Sequence, residues 1–464
     1  MTATGTPAHA VVERALSVAR ADETIVLVDD ESEASLRWAG NSMTTNGVSV
    51  ARRWSVIAVF REGPHAARVG TVTSTSMDPD DIGAVVRAAE EAARRAEPAR
   101  DAMPLLGPDT VAAAPDWEQP AGRTDIDVFT GLAADLATGF DAADRLYGFA
   151  HHQRQTTWLG TSTGVRQRYT QPTGSVEING KRGQGVDPAS AWAGVSTTDF
   201  TDVRIPDLLA ELSRRLDWAA RRVQLPAGRY ETLLPPSTVA DLLIYLYWSM
   251  EGRSAHQGHT AFAVPGGTRV GEKLTDIPLT LYSDPTAPGL ECLPFVATPA
   301  SSDRESVFDN GLPATRVDWL RDGTINALIH PRATAAEYGA QPTVPVPNLT
   351  LTGGSGATLD EMVARTERGL LLTTLWYIRE VDPTTLLLTG LTRDGVYLVE
   401  DGQVTAAVNN FRFNESPLDL LRRITEAGAT ERTLPREWKD WFTRTAMPPV
   451  RVPDFHMSSV SRAT

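Results

Sequence analysis

The chain has 464 residues, of which 41% are hydrophobic and 22% are charged, and its formal net charge is −14. This length allows two or three domains of roughly 100–200 residues each, and the composition is that of an ordinary globular protein. The acidic balance argues against a general affinity for nucleic acid, whose phosphates require clustered Lys and Arg side chains.

Cysteine and hydropathy patterns indicate the compartment. Cys292 is the single cysteine, so an internal disulfide is excluded, in keeping with a reducing environment. The first twenty residues lack the apolar core of a signal peptide, and every apolar stretch is shorter than the roughly 18–20 residues that a membrane span needs. We therefore expect a cytoplasmic protein that does not enter the membrane.

The first half of the chain predicts helices interleaved with strands. Helical spacing of apolar residues predicts an N-terminal helix through Val11 and Leu16, and the turn signal Asn46-Gly47 predicts a hairpin. Asp78 is expected to cap a helix that has Pro79 at its first position. The predicted helices cover residues 82–96, 125–142 and 206–223, and the predicted strands lie within residues 24–28, 31–60, 68–76 and 145–182.

A change of composition marks a boundary near residues 225–236, where proline and glycine flank one short strand. A helix is expected to follow with Ser237 as its N-cap, and Asp322-Gly323 and Asp401-Gly402 predict hairpin turns. The sequence therefore predicts an α+β fold: residues 1–224 form an N-terminal domain of antiparallel sheet with helices, and residues 225–464 form a mainly β, barrel-like C-terminal domain.

The sequence contains no clear motif of a catalytic site. A zinc peptidase places two histidines one helical turn apart with an adjacent glutamate, and no histidine of this chain is followed by glutamate. The nearest pattern, His256-Gln257-Gly258-His259, is better interpreted as two polar loop histidines, although an unusual metal site there stays open. Cys292 lies in an apolar run and is expected to be an inert, buried thiol. No catalytic residue and no metal ligand is predicted.

Three segments, in this order and spacing, resemble the TldD/PmbA family. They are residues 35–42, with Trp38 and Asn41; residues 225–232, which open with Leu225-Pro226; and residues 388–414, which include Asp401-Gly402 and Asn410-Phe411-Arg412. Together they extend over almost the whole chain. In that family the TldD-like branch carries His-Glu-x-x-x-His on the first helix of its C-terminal domain, takes a cysteine ligand further along, and cleaves peptides with zinc. The TldE (PmbA)-like branch lacks these residues and pairs with the first.

The resemblance implies the TldE/PmbA-like branch for this chain. On the matching helix Leu243 and Trp248 stand in the places of the two histidines and Ile244 in that of the glutamate, and Cys292 lies too early to match the cysteine ligand. The implied function is that of a non-catalytic subunit, which pairs with a TldD-like zinc metallopeptidase to bind and proteolyse unfolded or precursor peptides. The chain itself would then hold no cofactor, and zinc is expected in the partner.

Substrate-binding residues are expected after the first C-terminal helix and in the final motif; the candidates are Arg253, His256, His259, Asn409, Asn410 and Arg412. A surface ion pair for Arg253 and turn caps for the last three are the alternative interpretations. Two other functions stay open at this point: a stand-alone peptidase or hydrolase with an unusual site at His256 and His259, and a peptide-binding interaction protein without a peptidase role.

Overall fold

The structure is a computed structural model that describes residues 6–111, 113–141, 144–183 and 188–461. Its N-terminal half is built on one six-stranded antiparallel sheet with the strand order β3-β2-β1-β4-β5-β6. The strands are β1 (Glu23–Ala39), β2 (Met43–Gly63), β3 (Ala66–Ser74), β4 (Arg145–Thr161), β5 (Arg166–Arg182) and β6 (Ala189–Thr197). The sheet with its helices confirms the α+β class.

Four helices cover one face of this sheet because the strands alternate apolar and polar residues. They are α1 (Ala8–Val18), α2 (Ile82–Arg95), α3 (Thr130–Gly139) and α4 (Ile205–Trp218). At one end of the sheet α1 and α2 pack on Val26 and Val28 of β1. At the other end α3 and α4 pack on Leu36 and Trp38, which point to the same face of β1.

The predicted helix limits hold with two local differences. Asp78 accepts a hydrogen bond from the Asp80 amide (2.9 Å) and caps the short 3-10 turn that leads into α2, as expected. The helix predicted over residues 125–142 begins as a 3-10 turn before α3, and its residue 142 lies outside the described residues. α4 ends before residue 223 because Arg222–Val223 forms β7, which pairs with a strand of the C-terminal half.

The turn between β1 and β2 was predicted wrongly. Asn46-Gly47 lies inside β2, and the chain reverses at Gly40 and Asn41, whose φ angles are +60° and +64°. These positive angles are those of a type I′ turn. The Asn41 side chain bonds to the backbone of Leu146 (2.6 Å), and its amide donates to two further carbonyls, so tertiary contacts stabilise this turn over the local signal.

The C-terminal half contains two large sheets and the central helix α5. One sheet has six strands in the order β13-β12-β11-β14-β23-β22; the other follows the path β16-β17-β20-β24-β8-β15-β18-β19-β7, with β21 paired to β24. The strands are β8 (Gly228–Leu234), β9 (Ala263–Val264), β10 (Gly267–Thr268), β11 (Thr280–Ser283), β12 (Val317–Arg321), β13 (Thr324–Ile325), β14 (Asn348–Thr352), β15 (Arg368–Leu372), β16 (Leu375–Asp382), β17 (Leu387–Thr392), β18 (Val396–Glu400), β19 (Gln403–Val408), β20 (Phe411–Glu415), β21 (Glu426–Ala427), β22 (Glu431–Thr433), β23 (Arg444–Met447) and β24 (Val450–Val460).

The barrel-like form expected for this half is wrong, because the described strands of the larger sheet keep two edges, β16 and β7. The physical reason is helix α5 (Pro236–Trp248), which is buried on most of its surface and, apart from Thr238 and Asp241, buries apolar side chains. A helix of that kind must be covered all round, so one sheet packs on each side of it and neither closes on itself. The shorter helices are α6 (Gly252–His256), α7 (Arg332–Tyr338), α8 (Leu359–Ala364) and α9 (Pro417–Arg423).

The turn chemistry of the C-terminal half is partly as predicted. Asp322-Gly323 joins β12 to β13 and Asp401-Gly402 joins β18 to β19, each with positive φ at both residues. Ser237, in contrast, is not the N-cap of α5, which begins one residue earlier at Pro236 and has no side-chain cap. Proline at the first position supplies the helical φ angle without needing that cap.

The two halves pack closely against each other. Ile25 and Leu27, on the face of β1 opposite to the helices, share a core cluster with Phe295, Val307 and Phe308 of the C-terminal half. The Arg444 guanidinium donates to the Pro172 carbonyl and to the Thr173 hydroxyl of β5, both at 2.6 Å. Among the described residues no helix combines the length and the apolar character that crossing a membrane requires.

The approach of Trp38 to the backbone of β4 gives a stability prediction. A Cβ atom at Gly148 would lie 2.3 Å from both the Trp38 ring and the Glu177 carbonyl, whereas one at Gly47 would have no atom within 4 Å. We therefore expect Gly148→Ala to lower the free energy of unfolding by about 1–3 kcal/mol, and Gly47→Ala to change it by less than about 0.5 kcal/mol. Urea denaturation of the two variants measures the difference, and equal effects would contradict this packing.

Candidate functional site

An aromatic cluster surrounds the C-terminal end of α5. Trp248, the last residue of the helix, has its ring centroid 4.9 Å from that of Trp438 and 6.4 Å from that of Phe442. Tyr245 lies 6.1 Å from Trp248, and Tyr247 lies 6.0 Å from Phe442. This end of α5 also faces the N-terminal sheet, so the cluster lies where the two halves meet.

Two polar contacts fix the end of the helix. Arg304 donates from Nη1 to the carbonyl oxygens of Tyr247 (3.1 Å) and Trp248 (2.6 Å) in the last turn of the helix. The Tyr247 hydroxyl donates to the Val346 carbonyl at 3.1 Å, and burial raises the pKa of Tyr247 to about 12. A cation at a helix C-terminus is also favoured by the helix dipole. Trp248 is thus held in one position.

A first cavity, here called the sheet-facing cavity, lies between the N-terminal sheet and the end of α5 and has a volume of about 370 Å³. The sheet contributes the polar side chains of Gln155, Thr157 and Gln171 to its lining. The opposite wall is aromatic and proline-rich, with Tyr247, Trp248, Pro345, Pro347, Trp441 and Phe442. Trp441 is 79% exposed, which leaves one large apolar side chain open to solvent at this cavity.

A second cavity, the edge cavity, lies on the other side of Trp248 beside strand β16 and has a volume of about 510 Å³. Its wall contains the aromatic side chains of Tyr245, Trp248 and Trp438, and its polar residues include Glu251 and Glu380. Because Trp248 lines both cavities, its side chain separates the two.

The residues at the end of α5 do not fit a zinc ion. Leu243 and Ile244, which the resemblance places at two of the metal-site positions, are 1% and 0% exposed within the apolar core, and Trp248 is packed among aromatic rings. None of these side chains offers the nitrogen, sulfur or oxygen donor that zinc requires. Among the described residues no group of three or more His, Cys, Asp or Glu side chains is arranged to hold a metal ion.

Three of the predicted site residues follow α5. The Arg253 guanidinium is buried and bonds to Glu337 (2.7 Å) and to the Thr334 hydroxyl (3.3 Å), so it forms an ion pair within the chain. His256 stacks on Tyr338 with a centroid distance of 4.0 Å. His259 is exposed and lines the edge cavity. Substrate binding by these three residues stays a prediction.

The other predicted residues lie elsewhere. Asn409 and Asn410 line a separate cavity of about 320 Å³ beside β18 and β19, and both side chains accept backbone hydrogen bonds, from Leu225 (2.6 Å) and Asp394 (3.3 Å) respectively. Arg412 is exposed on β20, where it contacts the Thr389 hydroxyl at 3.3 Å. Hence the structure does not bring these three residues to the cavities at α5, and their role in binding stays a prediction.

Nucleophile patterns have structural explanations. Residues 160–164 match the Gly-x-Ser-x-Gly pattern, but they form the turn between β4 and β5, and the Ser162 hydroxyl accepts a hydrogen bond from the Thr24 amide (2.9 Å). A nucleophile elbow instead leads from a strand into a helix. Cys292 is fully buried, and burial raises the pKa of its thiol to about 12, as expected for an inert cysteine.

Several residues of the two cavities gave no signal in the sequence. Glu251 and Glu380 come from segments far apart in the chain, and Gln155 and Gln171 lie on neighbouring strands of the other half. Their proximity depends on how the sheets pack around α5. The sequence singled out Trp248, through its register on α5, and His259.

Burial of His330 beside α6 gives a pH prediction. Its Nδ1 lies 3.0 Å from the Leu328 carbonyl, and its Nε2 has no hydrogen-bond partner among the described residues. Burial lowers the pKa of His330, because protonation would add a charge and a donor in an apolar place. The stability contributed by the neutral ring is therefore fully present above the unfolded-state pKa of about 6.5 and is lost as the pH falls below it.

We expect the wild type to lose stability relative to a His330→Gln variant between pH 8 and pH 5.5, by at most about 1.4 kcal/mol per pH unit. Urea denaturation at several pH values measures this difference. The matched control is His65→Gln, since His65 is exposed. If the free energies of unfolding of the wild type and of His330→Gln changed in parallel with pH, His330 would have the same pKa in the folded and unfolded states, which would contradict the prediction.

Comparisons with known proteins agree with this architecture. The structure is similar to TldE from Thermococcus kodakarensis, with a TM-score of 0.79 and 15% identity over 96% of this chain and 98% of that one. It is also similar to proposed modulators of DNA gyrase from Bacteroides thetaiotaomicron (TM-score 0.76, 16% identity, 97% of both chains) and from Thermotoga maritima (0.73, 16%, 94% and 95%). No curated protein matches the sequence.

A comparison of the sequence with family models identifies the family. The family model described as the PmbA/TldA metallopeptidase C-terminal domain matches residues 227–459, which is half of the chain. With the sheets, the central helix and the three sequence segments in place, the chain belongs to the PmbA/TldD metallopeptidase family.

Proposed function

We propose that this chain is the non-catalytic, TldE-like subunit of a two-component peptidase in the cytoplasm. The observation that carries the proposal is that no histidine of the chain is followed by glutamate. In the register that the family resemblance implies, Leu243, Ile244 and Trp248 of α5 stand where the catalytic branch has its ligands and its glutamate. Leu243 and Ile244 are enclosed in the core, so no rotation of these side chains could make a metal site. Zinc and the hydrolytic step belong to a TldD-like partner.

The sheet-facing cavity suits an extended peptide. Its volume of about 370 Å³ lies within the usual range of ligand sites, about 300–1,000 Å³. Gln155 and Thr157 donate to the Asp29 carboxylate, and Gln171 accepts from the Leu293 amide. The side-chain oxygen of Gln155 and the side-chain nitrogen of Gln171 are left to bond to a peptide backbone, and Trp441 and Phe442 offer apolar surface to side chains. A site of this kind binds unfolded or precursor peptides with little sequence preference.

Addition of a peptide strand to the β16 edge of the larger sheet is disfavoured. At the edge strand β16 the amides of Tyr377 and Ile378 both donate to the Glu437 carboxylate, each at 3.0 Å. This carboxylate occupies donors that a peptide strand would need for pairing. The cavity between the halves is therefore the better place for the peptide.

The similarity to TldE from Thermococcus kodakarensis supports the subunit type, and the family supports peptide cleavage as the chemistry of the pair. A peptide-binding protein without a peptidase partner would use the same cavity, so geometry does not separate these two functions. The His256 and His259 site of a stand-alone hydrolase is weaker, because His256 is stacked on Tyr338 whereas His259 lines the edge cavity.

Cleavage of an unfolded peptide by a mixture of this chain and its TldD-like subunit tests the proposal. We expect the mixture to cleave faster than the TldD-like subunit by itself, and this chain alone to be inactive. Trp248→Ala is expected to raise the KM of the mixture by about tenfold, which corresponds to roughly 1.4 kcal/mol of lost aromatic contact.

The matched control is Trp117→Ala, since Trp117 is also partly buried but packs against α1 and the outer part of the N-terminal sheet. It should leave the KM of the mixture unchanged. No acceleration by the wild-type chain would contradict the subunit proposal, and equal effects of the two tryptophan variants would contradict the position of the peptide.

A further inference from the structure

The edge cavity has an aromatic wall whose rings are held in place. Tyr245 and Trp438 have their ring centroids 5.8 Å apart, and Trp248 lies within 6.1 Å of both. Trp438 donates from its indole nitrogen to the Asp241 carbonyl at 2.8 Å, so its polar atom is used inside the protein. What remains for a ligand at this wall is aromatic surface, which attracts cations.

The carboxylates of Glu251 and Glu380 line the edge cavity, and neither forms an ion pair with a described cationic side chain. Glu251 accepts a hydrogen bond from the Ser254 hydroxyl (3.1 Å), and no ion pair joins it to a described Arg, Lys or His side chain. Glu380 also has no such ion pair within the described residues. Its pKa is raised by burial and by nearby Asp382, as expected for a carboxylate that faces no positive charge.

The guanidinium that lines the cavity, that of Arg379, is directed to other groups. Its Nη1 donates to the Ile378 carbonyl at 2.6 Å and lies 3.7 Å from the Glu437 carboxylate. Its central carbon lies 4.2 Å from the centroid of the Tyr377 ring. Because Glu437 already balances Arg379, the charges of Glu251 and Glu380 are left for a ligand.

We propose that the edge cavity binds an alkylammonium group of the peptide, between the rings of Tyr245, Trp248 and Trp438 and the carboxylates of Glu251 and Glu380. This inference rests on the proposed function and adds a preference for positively charged peptides to it. Aromatic rings together with carboxylates are the surroundings in which proteins recognise organic cations. The volume of about 510 Å³ accepts a whole lysine side chain or the first residues of a peptide with a free amino terminus.

A hydrated or bare metal ion fits these groups less well. Two carboxylates supply few of the six to eight oxygen ligands that Ca²⁺ takes, and aromatic rings supply none. Anions are disfavoured by the two unpaired carboxylates. An ammonium group, in contrast, gains both the ring and the carboxylate interactions at once, and the alkyl chain attached to it packs on the tryptophan rings.

Isothermal titration calorimetry with synthetic peptides tests the proposal on the full chain. The parent peptide is an unstructured sequence with a free amino terminus and one lysine. Three relatives have an acetylated terminus, norleucine in place of lysine, or both changes. We expect loss of both charges to weaken binding by about 3–30-fold, the range that cation–π contacts imply. If acetylation alone weakens binding, the bound ammonium group is that of the amino terminus. If norleucine alone weakens binding, it is that of the lysine side chain.

The double variant Glu251→Gln/Glu380→Gln keeps the shape of the cavity and the acceptor for Ser254. It should bind the charged and the doubly neutral peptides equally, while Glu91→Gln, a variant of an exposed glutamate on α2, should keep the preference of the wild type. Equal binding of charged and neutral peptides to the wild type, or a preference that survives in the double variant, would overturn the proposal.

Cleavage assays with the TldD-like subunit separate this inference from the proposed function. Acceleration of cleavage without any preference for charged peptides would leave the subunit role intact and remove the ammonium site. A charge preference that Glu251→Gln/Glu380→Gln abolishes, together with no acceleration of the partner, would establish the ammonium site in a peptide-binding protein that is not a peptidase subunit.

Discussion

The complete burial of an apolar helix organises this protein. Ten of the thirteen residues of α5 are buried, so every side of the helix needs an apolar partner. Two sheets supply these partners, and the second sheet is the reason that the first does not close into a barrel. The buried carboxylate of α5 is that of Asp241, whose Oδ1 accepts a hydrogen bond from the Glu437 amide at 2.9 Å. Leu243 and Ile244, at positions that the family resemblance assigns to the metal site, are enclosed in the same core and offer no ligand atom.

The ends of α5 are where this constraint is relaxed. At the C-terminal end the helix reaches the seam between the two halves, and Trp248 emerges from the core between two cavities. Contacts across the seam, such as those of Arg444 with β5 and of Phe308 with β1, hold the N-terminal sheet in place over this end. The shape of the sheet-facing cavity therefore depends on the packing of the two halves and not on any single loop.

Sequence patterns predicted the local elements well, and tertiary contacts account for the differences. Helical periodicity and turn chemistry located α2 and the hairpins at Asp322-Gly323 and Asp401-Gly402. The strand β1 was predicted in two pieces, whereas it is continuous from Glu23 to Ala39. The first hairpin was misplaced because the bonds of Asn41 to the segment around Leu146 cannot be inferred from its neighbours in the chain. The domain boundary near residue 225 stays a prediction; β8 begins at Gly228.

The site was less accessible from the sequence than the fold. The family resemblance pointed to α5 and to Trp248, since a missing ligand pattern is visible in the residues. The opposite walls of the cavities, with Gln171 on β5 and Glu380 on β16, come together only through the order of the strands and the packing of the sheets. Polarity near α5 suggested Arg253, but its guanidinium bonds to Glu337 inside the chain. A charged residue close to a candidate site can therefore stabilise the fold through an ion pair within the chain.

The proposed two-component peptidase requires that this chain contributes no metal site. Its most direct test is the zinc content of the purified chain after equilibration with excess zinc and removal of free metal, measured next to its TldD-like partner. The account predicts far less than one zinc ion per molecule for this chain and about one for the partner, as a site with one ion requires. Stoichiometric zinc in this chain, lost on replacing His256 and His259, would contradict it.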